Sequence, residues 1–452
     1  MLNTITKLKT VANKSLLVYA LLLFVVAETP LLAEDSQAVK RLRETRDCPG
    51  CNLRKTNLQN IYLQDANLRR ANLSYANLRG ANLQGAYLRN ANLTGASLTG
   101  ANLRGVDLTD AKLGGADLRN SQIDDKTILD KKWRQVWEIV NKPLSVRDLQ
   151  GADLQDANLS SANLSNVNLE GANLRSASLT GTNLRASNLS RANLYQANLF
   201  IADLRDTKLG NANLHQANLN SADLRNAQLE GSDMRQANLS NAILGNNNLS
   251  DSKLTAANLK NADLVGINLS NADLRRANLF NTNLNNTNLT GANLTGANLT
   301  GVDFKDTNFT NTKLEGSNLN GVSLSGMVAT NANFKGINLS NADLQETKIS
   351  GSNLRRGNLS GVNLSGADLK DADLSGINLK DANLSGSNLA GANLSQADLS
   401  GADLSNANLS QVNLTGANLT EANLKGASLA GIKLENANLC KAILPDGKPH
   451  GC

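Results

Sequence analysis

GANLTGANLT, residues 291–300, spells the same five residues twice: Gly, Ala, Asn, Leu, Thr. A helix wants a period of about 3.6 and a strand one of about 2, so a period of five fits neither. Outward from this stretch, Leu recurs at every fifth position from Leu53 to Leu118, and Ile123 extends that series. A second series runs from Leu149 to Leu444. Together they make fifteen and sixty repeats. The second series departs from Leu only at Met234, Phe304, Phe309, Ala329, Phe334 and Ile349. Two residues before each centre the side chain is small or β-branched, with Arg147, Asn247 and Met327 as exceptions, and the residue between is usually Asn or Asp. Self-similarity at a fixed short period marks a solenoid, whose units bury their apolar faces only by stacking on neighbours.

The spacing follows from backbone geometry. Residues two apart on an extended segment point to the same side, so each Leu and the preceding Ala face inward. The remaining residues turn a corner, where Gly, Asn, Asp and Ser tolerate positive φ or bond their own backbone. One large and one small inward residue fill a narrow tube. Met327 stands in the small slot beside Ala329, and its flexible side chain is expected to refill the missing Leu volume.

With these residues in view, the chain resembles the pentapeptide repeat family, whose pattern is A-(D/N)-L-x-x. The resemblance covers about 370 of the 452 residues. It implies an all-β fold, a right-handed quadrilateral β-helix with four pentapeptides per coil. At about 4.8 Å per coil, the second array is expected to span about 72 Å and the first about 18 Å.

Other segments flank the repeats. Lys7, Lys9 and Lys14 precede the apolar run Leu16–Ala27, and Leu31-Leu32-Ala33 suits cleavage. Twelve apolar residues are short for a membrane span, so residues 1–33 read as a signal peptide. Residues 34–50 are expected to cap the first coil with a short helix bearing Val39 and Leu42 on one face. The first array occupies 51–123, a helical insertion 124–148, the second array 149–444 and a tail 445–452. Pro445-Asp446-Gly447 signals a turn that closes the far end. In the insertion, Leu129, Trp133, Val136, Trp137 and Val140 form one apolar helical stripe that Pro143 ends. The stripe is expected to pack on the solenoid; Trp133 and Trp137, accompanied by Lys131, Lys132 and Arg134, could instead meet a partner or a membrane surface.

Candidate chemistry is sparse. Cys48 falls in a Leu slot and Cys51 in an Ala slot, which leaves a local bridge or two buried thiols. A redox motif would want a helix N-terminus after it, and a repeat follows instead. Cys440 and Cys452 belong to the other end of the arrays and could pin the tail; a four-Cys metal site within one molecule is excluded. His215 and His450 lack partners for acid–base or metal work. No nucleotide loop appears. Asn-Leu-Ser and Asn-Leu-Thr match the glycosylation pattern only because the repeat spells them. Ser250, Ser270, Thr290, Thr310, Thr330 and Ser350 align at twenty-residue spacing, which chance explains given how often Ser or Thr follows a centre. Arg185, Arg205 and Arg225 also align and read as a solvated face. Outward Tyr195 and Phe200 are candidate partner contacts, with Phe280 as a further exposed ring.

The chain carries a net charge of +6 and 3% aromatic residues. Residues 34–452 would keep +4, spread along the arrays, which argues against nucleic acid as a partner. The expected function is a non-catalytic scaffold or protein-interaction protein, with an unknown protein partner and no cofactor, metal or small-molecule substrate. The resemblance together with the export segment looks most like exported cyanobacterial members, in the periplasm or thylakoid lumen. The alternative that the resemblance implies, a DNA mimic that binds topoisomerases, needs a strongly acidic surface, and this chain is basic.

Overall fold

The computed structural model describes residues 36–142 and 147–452. Residues 1–33, read as a signal peptide, and Pro143 lie outside the described residues. The chain divides into two compact units: the residues up to Leu113 together with Ser121–Leu129, and Gly114–Asn120 together with Asp130–Cys452. Both are built from the same coil. Parallel bridges join residues twenty apart, and Asp47–Asn67, Asn52–Asn72, Asn57–Asn77 and Tyr62–Asn82 supply four of them per coil. Four bridges in twenty residues give a four-sided coil with one pentapeptide on each side.

Each side repeats one hydrogen-bond scheme. Leu294 N–H donates to the Lys313 carbonyl of the next coil at 2.7 Å, and Asn293 N–H to the Ala272 carbonyl of the coil before at 2.9 Å. At the corner Ala297 N–H returns to the Leu294 carbonyl at 2.9 Å, closing a turn whose third residue, Gly296, sits at φ +68°. A left-handed residue at that place is what this turn type demands, which is why Gly, Asn and Asp crowd it. Leu294 and Ala292 are fully buried, as are nearly all their equivalents. Each buried Leu contributes roughly 1.5–3 kcal/mol.

The Asn between Ala and Leu has two roles. Its side-chain oxygen accepts the N–H two residues on, as Ser240 N donates to Asn238 Oδ1 at 3.2 Å. Its amide then donates to the Asn of the preceding coil. Asn298, Asn278, Asn258, Asn238, Asn218 and Asn198 form one such chain, every bond between 3.0 and 3.2 Å. Ser and Thr in the small slots bond inward: Thr182 and Thr287 hydroxyls donate to the Leu159 and Leu264 carbonyls at 2.9 and 3.0 Å.

Helix α1, Ser36–Thr45, buries Ala38, Val39 and Leu42 in the first unit. Helix α2 is Lys131–Asn141, shorter than the expected 124–148 insertion. Residues 124–129 still follow the coil: Ile128 bridges Asp107, and the one-residue slip of register is taken up at Asp124–Thr127, where the Thr127 hydroxyl donates to the Leu103 carbonyl at 2.9 Å. Leu129 therefore occupies a repeat centre and not the helical stripe. The buried helix residues are Val136 and Ile139, with Trp133, Trp137 and Val140 partly exposed beside them. Ile139 is three residues after Val136, and the apolar face is centred on that pair. Within the second unit α2 is tied down by Lys132 Nζ to Asp153 Oδ2 at 3.1 Å and by Asn141 Nδ2, which donates to the Leu118 carbonyl at 3.0 Å.

One stretch of the second unit loses its pairing. Among the described residues the bridges that the spacing calls for between Asp303 and Ser323 and between Asn308 and Val328 are absent. Phe304 and Phe309 fill two consecutive centres, their rings 5.2 Å apart. Two rings occupy more width than two Leu side chains, so the adjoining sides separate. Met327 does reach the interior beside Phe309 and Phe334, leaving a void of only about 10 Å³. Met327 is half-buried there, backbone pairing is given up, and an open depression of about 630 Å³ remains outside.

Candidate interaction surface

Arginines that follow a centre fall into two groups, decided by the residue two places earlier. Where it is Asp, the guanidinium folds back on it. Arg119, Arg205, Arg225, Arg235 and Arg275 each donate through Nε at 2.8–2.9 Å and Nη2 at 2.5–2.6 Å to Asp117, Asp203, Asp223, Asp233 and Asp273. These are two-pronged charge-assisted bonds. Asp203 and Asp223 stack one coil apart, and Arg205 Nε also lies 3.7 Å from Asp223 Oδ2. Both carboxyls are held below the usual carboxylate range, first by the hydrogen bonds from Arg205 and Arg225. Arg185 pairs with Asp206 at 3.1 Å. The Arg185–Arg205–Arg225 column, which looks like a plain solvated face in sequence, is thus neutralised by its own carboxylates.

Where the earlier residue is Asn or Tyr the fork has no carboxylate of its own. That pattern concentrates in the first unit: Arg54, Arg69, Arg79 and Arg104 follow Asn, and Arg89 follows Tyr87. Its described residues hold thirteen Lys and Arg against seven Asp and Glu, whereas the second unit has twenty-nine of each. The charge expected to be spread along the arrays is instead gathered in one unit. Three exposed cations share one side and its corner. Arg69 and Arg89 stack on successive coils, with Arg70 beside Arg69, around an open depression of about 670 Å³ lined also by Pro49, Gly50 and Asn90. None of the three has a carboxylate within 4.0 Å among the described residues. Asp47, one coil before Asn67 on that side, is taken up by Arg41 at 3.2 Å and by Asn67 Nδ2 at 2.8 Å. Asp107, one coil after Tyr87, is held below the usual carboxylate range first by its hydrogen bond from Thr109, with smaller help from Arg89 and Arg69, and Asp110 lies at the next corner. Three exposed tyrosines accompany the cations, each with a guanidinium over its ring: Arg46 on Tyr62, Arg54 on Tyr75 and Arg69 on Tyr87, at 5.3, 5.7 and 4.3 Å. The twenty-residue spacing puts Arg69 over Arg89 just as it aligns Arg185, Arg205 and Arg225; what the spacing does not show is that the second column is neutralised by its own carboxylates and the first is not.

The residues singled out from sequence lie elsewhere. Cys48 and Cys51 are joined by a disulfide beside α1, and Cys440 and Cys452 by another at the tail. The tail pairs antiparallel through Ile443 and Pro449 after a turn at Gly447, and so covers one side of the last coil. Lys132 Nζ and Lys142 Nζ lie over the Trp133 and Trp137 rings at 5.1 and 5.2 Å. Tyr195 is half-buried between Arg175 and His215, whose ring is 5.5 Å from its own. Phe200 is half-buried on the adjoining side, so the two rings do not share a face. Among the described residues no cluster of three His, Cys, Asp or Glu side chains has the arrangement to hold a metal ion, and no helix is long and apolar enough to cross a membrane.

The family model described as pentapeptide repeats (8 copies) matches residues 47–121 and nearly all of 148–446. The chain belongs to the pentapeptide repeat family. Pentapeptide repeat proteins fold as right-handed quadrilateral β-helices, and the four bridged sides are that quadrilateral. Among solved pentapeptide repeat structures, HetL, involved in heterocyst differentiation regulation in the cyanobacterium Nostoc sp. strain PCC 7120, is 33% identical over 63% of this chain and 91% of its own, with a TM-score of 0.22. A pentapeptide repeat protein of the Arabidopsis thaliana thylakoid lumen is 34% identical over 28% of this chain and 71% of its own, with a TM-score of 0.14. Full-length QnrB1, a plasmid-mediated fluoroquinolone resistance protein, is 17% identical over 57% and 94%, with a TM-score of 0.18. No curated protein matches the chain. Members of this family are generally structural or interaction proteins.

Proposed function

We propose that this pentapeptide repeat protein is a non-catalytic interaction scaffold that works outside the cytoplasm, in the periplasm or thylakoid lumen, and binds a protein partner. The observation that carries the reading is how the polar side chains are used. Asn amides run along the coils, small-slot hydroxyls bond core carbonyls, and most Asp–Arg pairs close on themselves. Groups engaged in this way hold the coil and are not free for acid–base or nucleophilic work. What is left outward is a rigid, varied surface, the kind solenoids use for recognition. Location outside the cytoplasm is supported by Lys7 to Ala33 and by the two disulfides, which suit an oxidising compartment. The DNA-mimic reading requires an acidic surface, whereas the first unit is basic and the second balanced.

Fractionation of the native cell followed by pull-down tests it. The expected result is the mature protein in an exported fraction together with at least one stoichiometric protein partner. Recovery from the cytoplasm with residues 1–33 still attached would overturn the export reading, and capture of a type II topoisomerase would replace the scaffold reading with the mimic.

A further inference from the structure

Within the proposed scaffold reading, we propose that the Arg69–Arg70–Arg89 corner of the first unit is a docking site for an acidic protein segment, whose carboxylates occupy the place that Asp takes in the Asp–Leu–Arg clamps. The coil itself shows what an arginine at this position does with a carboxylate. At five sites Nε and Nη2 grip both oxygens of the Asp two residues earlier. At Arg69 that place holds Asn67, which offers one oxygen at 3.4 Å, and at Arg89 it holds Tyr87, which offers none. The same forks stand on the same backbone with the acid missing. Stacked one coil apart, about 4.8 Å, and joined by Arg70 at the corner, they present three guanidiniums to one short run of negative charge.

Two observations favour an acidic polypeptide over a nucleic acid. Base recognition on an open surface relies on free aromatic faces. Here the exposed Tyr62, Tyr75 and Tyr87 rings each carry an arginine over one face, and by the twenty-residue period they stand on three different sides, so they form no continuous stacking platform. A phosphate backbone is tracked by a run of cations, yet the other forks of the unit scatter: by the twenty-residue period Arg54, Arg79 and Arg104 each lie on a different one of the remaining three sides. A segment with a few closely spaced Asp or Glu needs only the one corner. The surplus of positive charge on this unit would also speed its approach.

The experiment uses the full chain and a fluorescent glutamate peptide of about ten residues, read by anisotropy in low salt, where surface charge is least screened. Binding is expected, weakened about tenfold or more in the Arg69→Gln/Arg70→Gln/Arg89→Gln variant. Arg54→Gln/Arg79→Gln/Arg104→Gln removes the same charge and is expected to change binding less than about twofold. All six side chains are exposed, and unchanged circular dichroism melts verify that both variants are folded. The Arg69→Lys/Arg70→Lys/Arg89→Lys variant keeps the charge and loses the fork, so intermediate binding is expected. Equal weakening by the two Gln variants, or no binding by the unaltered chain, would overturn the site. Wild-type binding by the Lys variant would overturn the fork geometry. Tighter binding of oligothymidylate or of phosphatidylglycerol vesicles, lost in the first variant, would reassign the corner to phosphate groups. The peptide assay reads the corner directly, so it can fail while co-purification of a partner succeeds, and the reverse.

Discussion

At the scale of single residues, the small slot explains which polar groups the interior accepts. Thr182 and Thr287 place one donor against a core carbonyl and leave nothing unpaired. Asn247 uses the same slot, and its amide donates to the Leu224 carbonyl at 2.8 Å, but its Oδ1 is buried without a partner. An orphaned buried acceptor costs about 1–3 kcal/mol. Asn247→Thr keeps the donor and removes the orphan, so equilibrium unfolding is expected to show a gain of about 1 kcal/mol; a loss would mean the extra volume of Asn is needed for packing. The clamp at Asp273 makes a prediction in pH. Its carboxyl is drawn down to about 2, chiefly by hydrogen bonds from Arg275, against the opposing effect of burial. A carboxyl whose folded pKa is depressed stabilises the fold fully above its unfolded value and loses that contribution as pH falls through the folded one. Arg275→Gln is therefore expected to melt about a degree or two below the unaltered chain near neutral pH, since surface pairs contribute little. The gap should close as pH falls from about 4 to about 2. A gap of constant size over that range would show that Arg275 acts through packing alone.

At the scale of the coil, burial separates the two residues that follow one another in every repeat. Leu294 is fully buried, while Thr295 faces out and its hydroxyl donates to Asn293 Oδ1 at 2.7 Å. Leu294→Asp would bury a carboxylate in a tube of Leu and Ala, a loss of several kcal/mol. Thr295→Ala is expected to stay within about 0.5 kcal/mol. Equal melting temperatures would show that the inward and outward faces are misassigned. The coil at Phe304 and Phe309 is the exception to regular pairing. Amides of Phe304, Phe309, Ser323 and Val328 lack the inter-coil bonds their equivalents make, so hydrogen exchange is expected to be faster there than at Leu204 or Leu214. Equal protection would place the missing bonds in solution and contradict the open pairing.

At the scale of the whole molecule, each coil touches only its neighbours, and damage should stay local. Reducing Cys48–Cys51 and Cys440–Cys452 is therefore expected to raise hydrogen exchange around residues 46–52 and 440–450 and to leave the residues near 250–300 unchanged. Loss of protection throughout each unit would mean that the ends hold the arrays together cooperatively. The segregation of charge also belongs to this scale. A net charge of +6 means something different when one unit carries it and the other is balanced, because attraction of an anionic partner depends on local potential.

The five-residue period determined the repeat, its inward Leu and Ala and its corners, since the alternation and the turn are set within a few residues. It also marks Asn247 and Met327 as departures from the small slot. The family resemblance supplied the twenty-residue coil, and tertiary structure decided which side chains engage across it. Closure at four sides stacks Arg69 on Arg89, strings Asn198 to Asn298 into one amide ladder and sets Asp223 against Asp203. Leu129 went to the coil and Ile139 to the buried helix face because the register slips at Asp124–Thr127, where a bond from Thr127 to Leu103 fixes the pairing. The Phe304–Phe309 opening likewise arises between coils, where two rings must share a width that the sequence assigns to two leucines.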